Sequence, residues 1–204
     1  MIQEALTFLK TREKMNLLIV AANILVFAVL ELAGNTADAG FMAQHGAMYV
    51  PYVTEYGEYY RLFTSMFLHF GLQHLCYNML LILFMGDMLE KLTGKWRYLV
   101  ICLGGGLCGN LLSMAVSMRA EHYAISAGAS GAAFAIVGGL AVLVLRSRNR
   151  IRDLDGRRLA VMAALTLADG FTQSGTDNMA HLGGFLGGAL LCFLVTLKRS
   201  RRQQ

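Results

Sequence analysis

The sequence predicts an all-α fold: a polytopic membrane bundle of six transmembrane helices, in a single membrane domain over residues 1–204. Three observations predict it. Of the 204 residues, 56% are hydrophobic and only 15% are charged, and the apolar residues are gathered in long runs. A soluble domain has about 25% charged residues, so this composition could not cover a water-facing surface.

The six candidate spans lie at about 17–33, 72–92, 98–118, 124–145, 159–173 and 178–197. Each is close to the roughly 20 apolar residues that cross the hydrocarbon core of a bilayer. The fifth is the shortest, and hydropathy alone leaves a re-entrant or interfacial segment open there. Charge favours a sixfold crossing, since sixteen of the eighteen Lys and Arg then share one side.

The basic side is predicted to be cytoplasmic by the positive-inside rule, and both termini with it. Only Arg61 and Arg119 fall on the other side. The N-terminus lacks the short apolar core and cleavage site of a secretory signal, so we expect the first span to be retained. Topology and anionic headgroups explain the net charge of +5. Nucleic-acid binding is excluded, because no basic groove is interleaved with aromatic residues.

One long connection, residues 34–71, separates the first two spans. It holds the sole proline, Pro51, and many aromatic residues. A loop of this length in a compact domain is usually functional, and amphipathic aromatics suit the membrane interface. We therefore predict a structured outer loop. The four cysteines have no metal-ligand or redox spacing, and we infer no disulfides.

A few strongly polar side chains lie within the apolar runs. Such groups cost a few kcal/mol each in a bilayer and mark candidate sites. Under the predicted topology they occupy the outer halves of the second, fourth and sixth spans, at similar depths. They are His74 and Asn78, Ser126 and Ser130, and Asn178 and His181.

Ser130 lies in the string Gly128-Ala129-Ser130-Gly131. Flanking glycines let backbone and substrate approach its hydroxyl, although such a string alone is more often a packing surface than a nucleophile. Small residues also recur every four positions on the fourth and sixth spans and predict that these helices touch. The two stripes are Ala127, Gly131, Ala135 and Gly139, and Ala180, Gly184 and Gly188.

His181 is the candidate base. A histidine in an apolar helix needs a hydrogen-bond partner, and both a structural bond and a catalytic role are open when it is taken alone. An imidazole can take the serine proton and return it to the leaving amine. Asp169 and Asp177 are at loop edges, so we infer a Ser130–His181 dyad. Phe134, one turn after Ser130, could hold the imidazole ring by stacking.

His74 and Asn78 are candidate oxyanion donors, together with the backbone N–H of Ser130. Their i, i+4 spacing puts them on one face of the second span, and such donors are typically worth about 2.7–4 kcal/mol each. The alternative is an interhelical polar clamp. His69, Gln73 and Ser126 could bring water to the site or be ordinary interfacial groups.

Together these residues resemble the rhomboid family of intramembrane serine proteases, from the first loop to the last span. The similarity covers Gly-Ala-Ser130-Gly, the pair His74 and Asn78, and Ala180-His181 followed by Gly184 and Gly188. Glu58-Tyr59-Tyr60-Arg61 resembles the family's tryptophan-arginine loop motif, and Glu90 a structural glutamate. Tyr60 stands where the family often has tryptophan, and Phe134 where many members have tyrosine. Taken alone, Arg61 is equally compatible with two roles: an anchor of the outer loop, or an interfacial arginine whose charged group snorkels to water.

The resemblance implies a six-helix core with a water-filled cavity open to the outer side. It also implies cleavage of single-span membrane proteins that enter laterally beside the fifth helix, with no cofactor and no metal. We expect a multi-pass protein of a plasma membrane, with a bacterial inner membrane the best fit and the site facing outward. The sequence predicts no oligomeric state.

Two classes of function other than proteolysis are consistent with a polytopic membrane protein. A proteolytically inactive rhomboid-like protein that binds or escorts membrane clients would have lost the serine or the histidine, and both are present. A transporter would show repeats or charges at mid-membrane. Among proteases, the sequence has no His-Glu-x-x-His motif, no mid-membrane aspartate pair and no lysine within a span.

Overall fold

The computed structural model describes residues 12–147 and 177–197. Over these residues the secondary structure is mainly helical. Four helical segments are long and apolar enough to cross a membrane: Lys14–Ala33, Gly71–Thr93, Lys95–Ala120 and Asn178–Thr196. A fifth apolar helix, Ser130–Arg146, is shorter, at 17 residues. The protein is therefore a multi-pass membrane protein. The predicted fifth span, 159–173, lies outside the described residues.

We number the helices in chain order. They are α1 (Lys14–Ala33), α2 (Ala39–Gln44), α3 (Val50–Tyr56), α4 (Arg61–Thr64), α5 (Gly71–Leu81), α6 (Asp87–Thr93), α7 (Lys95–Ala120), α8 (Ser130–Arg146) and α9 (Asn178–Thr196). A 3₁₀ turn, Ser65–Phe67, follows α4, and a π turn, Ile82–Gly86, joins α5 to α6.

The connection between α1 and α5 contains three short helices fastened by Arg61. Its guanidinium is buried and donates to the carbonyl oxygens of Ala43 (2.6 Å) and Ala47 (2.8 Å). It also pairs with Glu58 and lies over the Tyr52 ring. Arg61 therefore holds the loop together from within, and the snorkelling alternative is wrong.

Two carboxylates of α6 hold the start of α1. The N-terminal turn of a helix leaves backbone N–H groups without intrahelical partners, and Glu13 provides no side-chain cap here. Asp87 accepts from the N–H of Glu13 at 2.7 Å, and Glu90 accepts from Met15 and Asn16 at 3.3 and 2.7 Å. The carboxylates of α6 therefore cap the N-terminus of α1, which has no capping side chain of its own.

The π turn is occupied by the buried side chain of Asn16. Its amide donates to the carbonyl of Leu83 at 3.1 Å and accepts from the Tyr98 hydroxyl at 2.7 Å. A Cβ at Gly86 would overlap the Asn16 side-chain oxygen. This site requires glycine and links α1, the second span and α7.

Helices α7, α8 and α9 pack through glycines. A Cβ at Gly184 would overlap the carbonyl oxygen of Gly131, and one at Gly188 would overlap that of Ala135. A Cβ at Gly109 of α7 would lie 2.5 Å from the carbonyl oxygen of Ala180. Small side chains thus bring the backbones into direct contact, as membrane helices commonly do.

The predicted fourth span, 124–145, begins too early. Residues 122–128 are non-helical, and α8 starts at Ser130. The cause is a pair of backbone hydrogen bonds between Ser126 and Met48, 2.8 and 2.9 Å long, which hold this segment extended against the outer loop. Ser126 therefore lies outside the span.

The predicted small-residue stripe on the fourth span needs correction at both ends. Ala127 precedes α8. Gly139 faces Ile101 and Leu89, because a Cβ there would lie 3.1 Å and 3.4 Å from their methyl groups. The contact with α9 is made instead by Gly131, Ala135 and Gly138.

Candidate active site

Ser130 is the first residue of α8 and is half-buried. The loop before it is fixed by the N–H of Gly128, which donates to the carbonyl of Ser65 at 2.9 Å. Gly128 has φ +146°, a conformation that L-residues rarely adopt. The glycine thus lets the chain turn sharply into α8 and leaves the serine at the helix N-terminus.

His181 lies in the first turn of α9 and is buried. Its ring stacks on Phe134 of α8, with ring centroids 4.4 Å apart and an interplanar angle of 21°. Gly184 meets Gly131 just below this stack. The structure therefore brings Ser130 and His181 to the same end of two helices in backbone contact.

His74 of α5 lies beside the loop that precedes Ser130. A Cβ at Gly128 would lie 2.9 Å from Nε2 of His74 and 3.7 Å from Oγ of Ser130. Asn78, one turn further and buried, donates from its side-chain amide to the carbonyl of His74 at 3.1 Å. An amide has two N–H donors, so this bond leaves Asn78 a second one.

His69, a candidate from the sequence for bringing water to the site, is hydrogen-bonded to the backbone just before Ser130. Its Nε2 accepts a hydrogen bond from the N–H of Ala129 at 3.3 Å, and the residue is fully buried. Burial lowers the pKa of His69 to about 3, with a smaller contribution from His74. The neutral ring thus holds the residue immediately before Ser130. The other two water candidates are Gln73, which bonds the Tyr77 hydroxyl, and Ser126, whose backbone pairs with Met48.

A contact that sequence reasoning missed lies at the start of α9. Asp177 caps this helix by accepting from the N–H of Ala180 at 2.9 Å. Its other oxygen accepts from the hydroxyl of Ser113 on α7 at 2.5 Å. From the sequence, Asp177 was placed only at a loop edge. An aspartate three residues before the N–H that it caps is a local signal that could have indicated the cap, but no local pattern connects Asp177 to Ser113, 64 positions away.

The arrangement combines an alcohol, an imidazole and several N–H donors at one end of the bundle. The free N–H groups at the start of α8 and its helix dipole favour negative charge beside Ser130. In residues 12–147 and 177–197, no three His, Cys, Asp or Glu side chains are grouped to hold a metal ion. The chemistry that these residues can support is acyl transfer through serine.

Comparison with known proteins agrees with this description. A family model described as "Rhomboid domain" matches residues 56–198. The chain is 33% identical over 185 residues to "Rhomboid protease GluP" of Bacillus subtilis, covering 91% of this chain and 35% of GluP. It is 34% identical over 146 residues to "Putative rhomboid protease YdcA" of the same organism, covering 72% of each.

A eukaryotic relative is also similar. "Rhomboid-like protease 3" of Toxoplasma gondii is 33% identical over 153 residues, which cover 72% of this chain and 56% of that protein. The chain thus spans about a third of the length of GluP and somewhat more than half of the Toxoplasma protein.

Proposed function

The chain belongs to the rhomboid family, and from that premise we propose that it is an intramembrane serine endopeptidase with Ser130 as nucleophile and His181 as base. One observation carries the proposal. His181 of α9 stacks on Phe134 of α8, four residues after Ser130. Near this stack the backbones of α8 and α9 touch, where Gly184 contacts Gly131, the residue after Ser130. The relatives named as proteases support the same class of activity.

In the proposed reaction, Nε2 of His181 takes the proton of Ser130 as Oγ attacks the carbonyl carbon of the scissile peptide bond. The tetrahedral intermediate collapses when the imidazolium returns the proton to the departing amine. This leaves an acyl ester on Ser130. Water, deprotonated by the same imidazole, then releases the acid and restores the serine.

The negative oxygen of the intermediate requires hydrogen-bond donors. His74 lies against Gly128 near Oγ of Ser130, and Asn78 follows it on the same face. With the N–H of Ser130 they form the proposed oxyanion hole. Their contacts also fit the polar-clamp alternative, which predicts that their loss would affect stability more than turnover.

Neutral His69 and the glycines have supporting roles in this proposal. His69 and Gly128 fix the nucleophile loop. Gly184 and Gly188 let the backbone of α9 contact that of α8 at Gly131 and Ala135, which sets the distance between the two helices. No cofactor takes part.

For location, we propose a plasma membrane, with a bacterial inner membrane the best fit, cytoplasmic termini and an outward-facing site. Basic residues at the ends of α1, α6, α7 and α8 remote from Ser130 support this orientation. The proposed substrates are single-span membrane proteins entering from the lipid beside the predicted fifth helix.

The experiment compares purified wild type with Ser130→Ala and His181→Ala in detergent. Cleavage of a model single-span substrate and labelling by a fluorophosphonate are measured together. We expect wild type to cleave and be labelled, Ser130→Ala to do neither, and His181→Ala to lose both by more than about 10³-fold. Cleavage by either variant at the wild-type rate would refute the dyad. A wild type that binds substrate without cutting would favour the escort alternative.

A further inference from the structure

We propose that Asp177 is a positioning residue for His181, acting through the first turn of α9 and through Ser113 of α7. This inference rests on the proposed dyad and adds to it the group that orients the base. The carboxylate is assigned no contact with the imidazole. It fixes the backbone that carries the ring.

The position of Asp177 is set by two side-chain hydrogen bonds in different directions. One oxygen caps α9 at the N–H of Ala180, and the other accepts from Ser113, a buried residue of α7. The carbonyl of Asp177 also accepts from the N–H of His181 at 3.2 Å. A single residue thus joins the backbone of the histidine to a neighbouring helix.

A second contact one turn away on α7 reinforces this link. Gly109, four residues before Ser113, lies against the carbonyl of Ala180, which a Cβ would approach to 2.5 Å. Residues four apart share a helix face. The first turn of α9 is therefore held to α7 at two successive points, one polar and one by close backbone packing.

His181 needs such support because its ring has little direct fixation. Its Nδ1 is buried and has no hydrogen-bond partner among the described residues. The Phe134 stack restrains the plane of the ring but does not restrain its translation along the helix axis. Helix ends open more easily than helix centres, and a displacement of about 1 Å can cost 10²-fold in rate. The tie to Ser113 resists that displacement.

Three substitutions separate geometry from charge. Asp177→Ala removes both bonds. Asp177→Asn removes the charge but keeps a capping oxygen, while its N–H₂ can donate to the Ser113 hydroxyl. Ser113→Ala removes only the link to α7. We expect kcat to fall about 10- to 50-fold in Asp177→Ala and about 3- to 10-fold in Ser113→Ala. KM should change less than twofold, and Asp177→Asn should stay within about threefold of wild type.

The matched control is Asp38→Ala. Asp38 is an exposed residue of the outer loop and caps α2 by accepting from the N–H of Phe41 at 2.6 Å. The Asp38→Ala variant loses an aspartate cap of the same kind as the one that Asp177 provides. Its kcat should stay within about twofold of wild type. Detergent-solubilised proteins are compared by cleavage kinetics, by the rate constant of fluorophosphonate inactivation and by thermal unfolding.

The proposal is supported if kcat and the inactivation rate constant fall together in Asp177→Ala, recover in Asp177→Asn and remain unchanged in Asp38→Ala. It is overturned if Asp177→Ala keeps the wild-type kcat, or if Asp177→Asn is as slow as Asp177→Ala. Ser130→Ala and His181→Ala, measured in parallel, distinguish failure of the proposed function from failure of the positioning role of Asp177. Active dyad variants refute the proposed function, whereas inactive dyad variants beside a fully active Asp177→Ala refute only this inference.

Discussion

At the scale of single residues, the site depends on side chains that each have one specific contact. Phe134 supplies an aromatic face for His181, and His69 supplies an acceptor for Ala129. Neither interaction requires a charge within the bilayer. The use of neutral groups fits a membrane site, because a charged side chain there costs several kcal/mol and a neutral polar group needs a hydrogen-bond partner.

Removing the aromatic face should slow catalysis without abolishing it. Phe134→Ala loses a stacked pair worth about 0.5–1.5 kcal/mol, so we expect kcat to fall about 2- to 12-fold. Phe134→Tyr keeps the ring and should retain most of the activity. Steady-state cleavage of the model substrate measures both. If kcat fell equally in Phe134→Ala and Phe134→Tyr, the site would depend on the absence of a hydroxyl at the ring edge and not on the stacking face.

Neutral His69 makes the fold sensitive to acid. Its pKa is about 3 in the folded protein, below the ordinary value of 6.5. Between pH 3 and pH 6.5, His69 therefore binds a proton in the unfolded chain but not in the folded protein. Protonation of the unfolded chain lowers the free energy of unfolding as the pH falls below about 6.5, by up to about 1.4 kcal/mol per pH unit. Above about pH 6.5 this loss of stability is absent.

The measurement is thermal unfolding in detergent at pH 7.5 and pH 5. Wild type should lose more stability on acidification than His69→Gln, in which the amide oxygen can still accept from Ala129. His122→Gln, a change of an exposed histidine, controls for loss of any imidazole. The account of His69 is contradicted if wild type and His69→Gln respond identically to pH.

At the scale of elements, α8 and α9 approach closely because glycine and alanine face each other along the contact. The stripe predicted from sequence indicated the right pair of helices, although its members at 127 and 139 were wrong. Gly131 and Gly184 are not equivalent in this contact. A Cβ at Gly184 would overlap the backbone of α8, whereas one at Gly131 would lie 3.6 Å from its nearest neighbours.

This asymmetry predicts different outcomes for two similar substitutions. Gly184→Ala should push α9 from α8, lower stability by about 1–3 kcal/mol and separate the dyad, so that activity falls more than tenfold. Gly131→Ala should fit, with a much smaller effect on the unfolding midpoint. Thermal unfolding and the fluorophosphonate rate constant report the two effects. A Gly184→Ala protein as stable as Gly131→Ala would mean that the helices do not touch there.

At the scale of the whole molecule, the two ends of the bundle are held by different means. The end that carries Ser130 is tied by the outer loop, His69 and Asp177. At the opposite end, Asp87 and Glu90 of α6 bond the N–H groups of Glu13, Met15 and Asn16. Asp87 also pairs with Arg12 and Lys91. The first span is thereby fastened far from the site.

Loss of this fastening should affect stability before chemistry. Glu90→Ala leaves two N–H groups at the start of α1 without acceptors, and we expect about 1–3 kcal/mol of destabilisation. The kcat measured below the unfolding transition should change little. Glu55→Ala, in an exposed part of the outer loop, is the control and should unfold like wild type. If Glu90→Ala unfolds at the wild-type temperature, this carboxylate is not a structural cap.

The membrane class, the candidate pair Ser130 and His181, and the aromatic ring of Phe134 one turn after Ser130 could all be predicted from the amino-acid sequence. Each follows from a residue type that is costly in lipid or from spacing within one helix. The start of α8 at Ser130, the hydrogen bond from Ala129 to His69 and the hydrogen bond from Ser113 to Asp177 are set by tertiary contacts. These contacts join residues about 60 or more positions apart or replace a helical turn by pairing with another loop. Their hydrogen bonds are chosen by packing, which local periodicity does not encode.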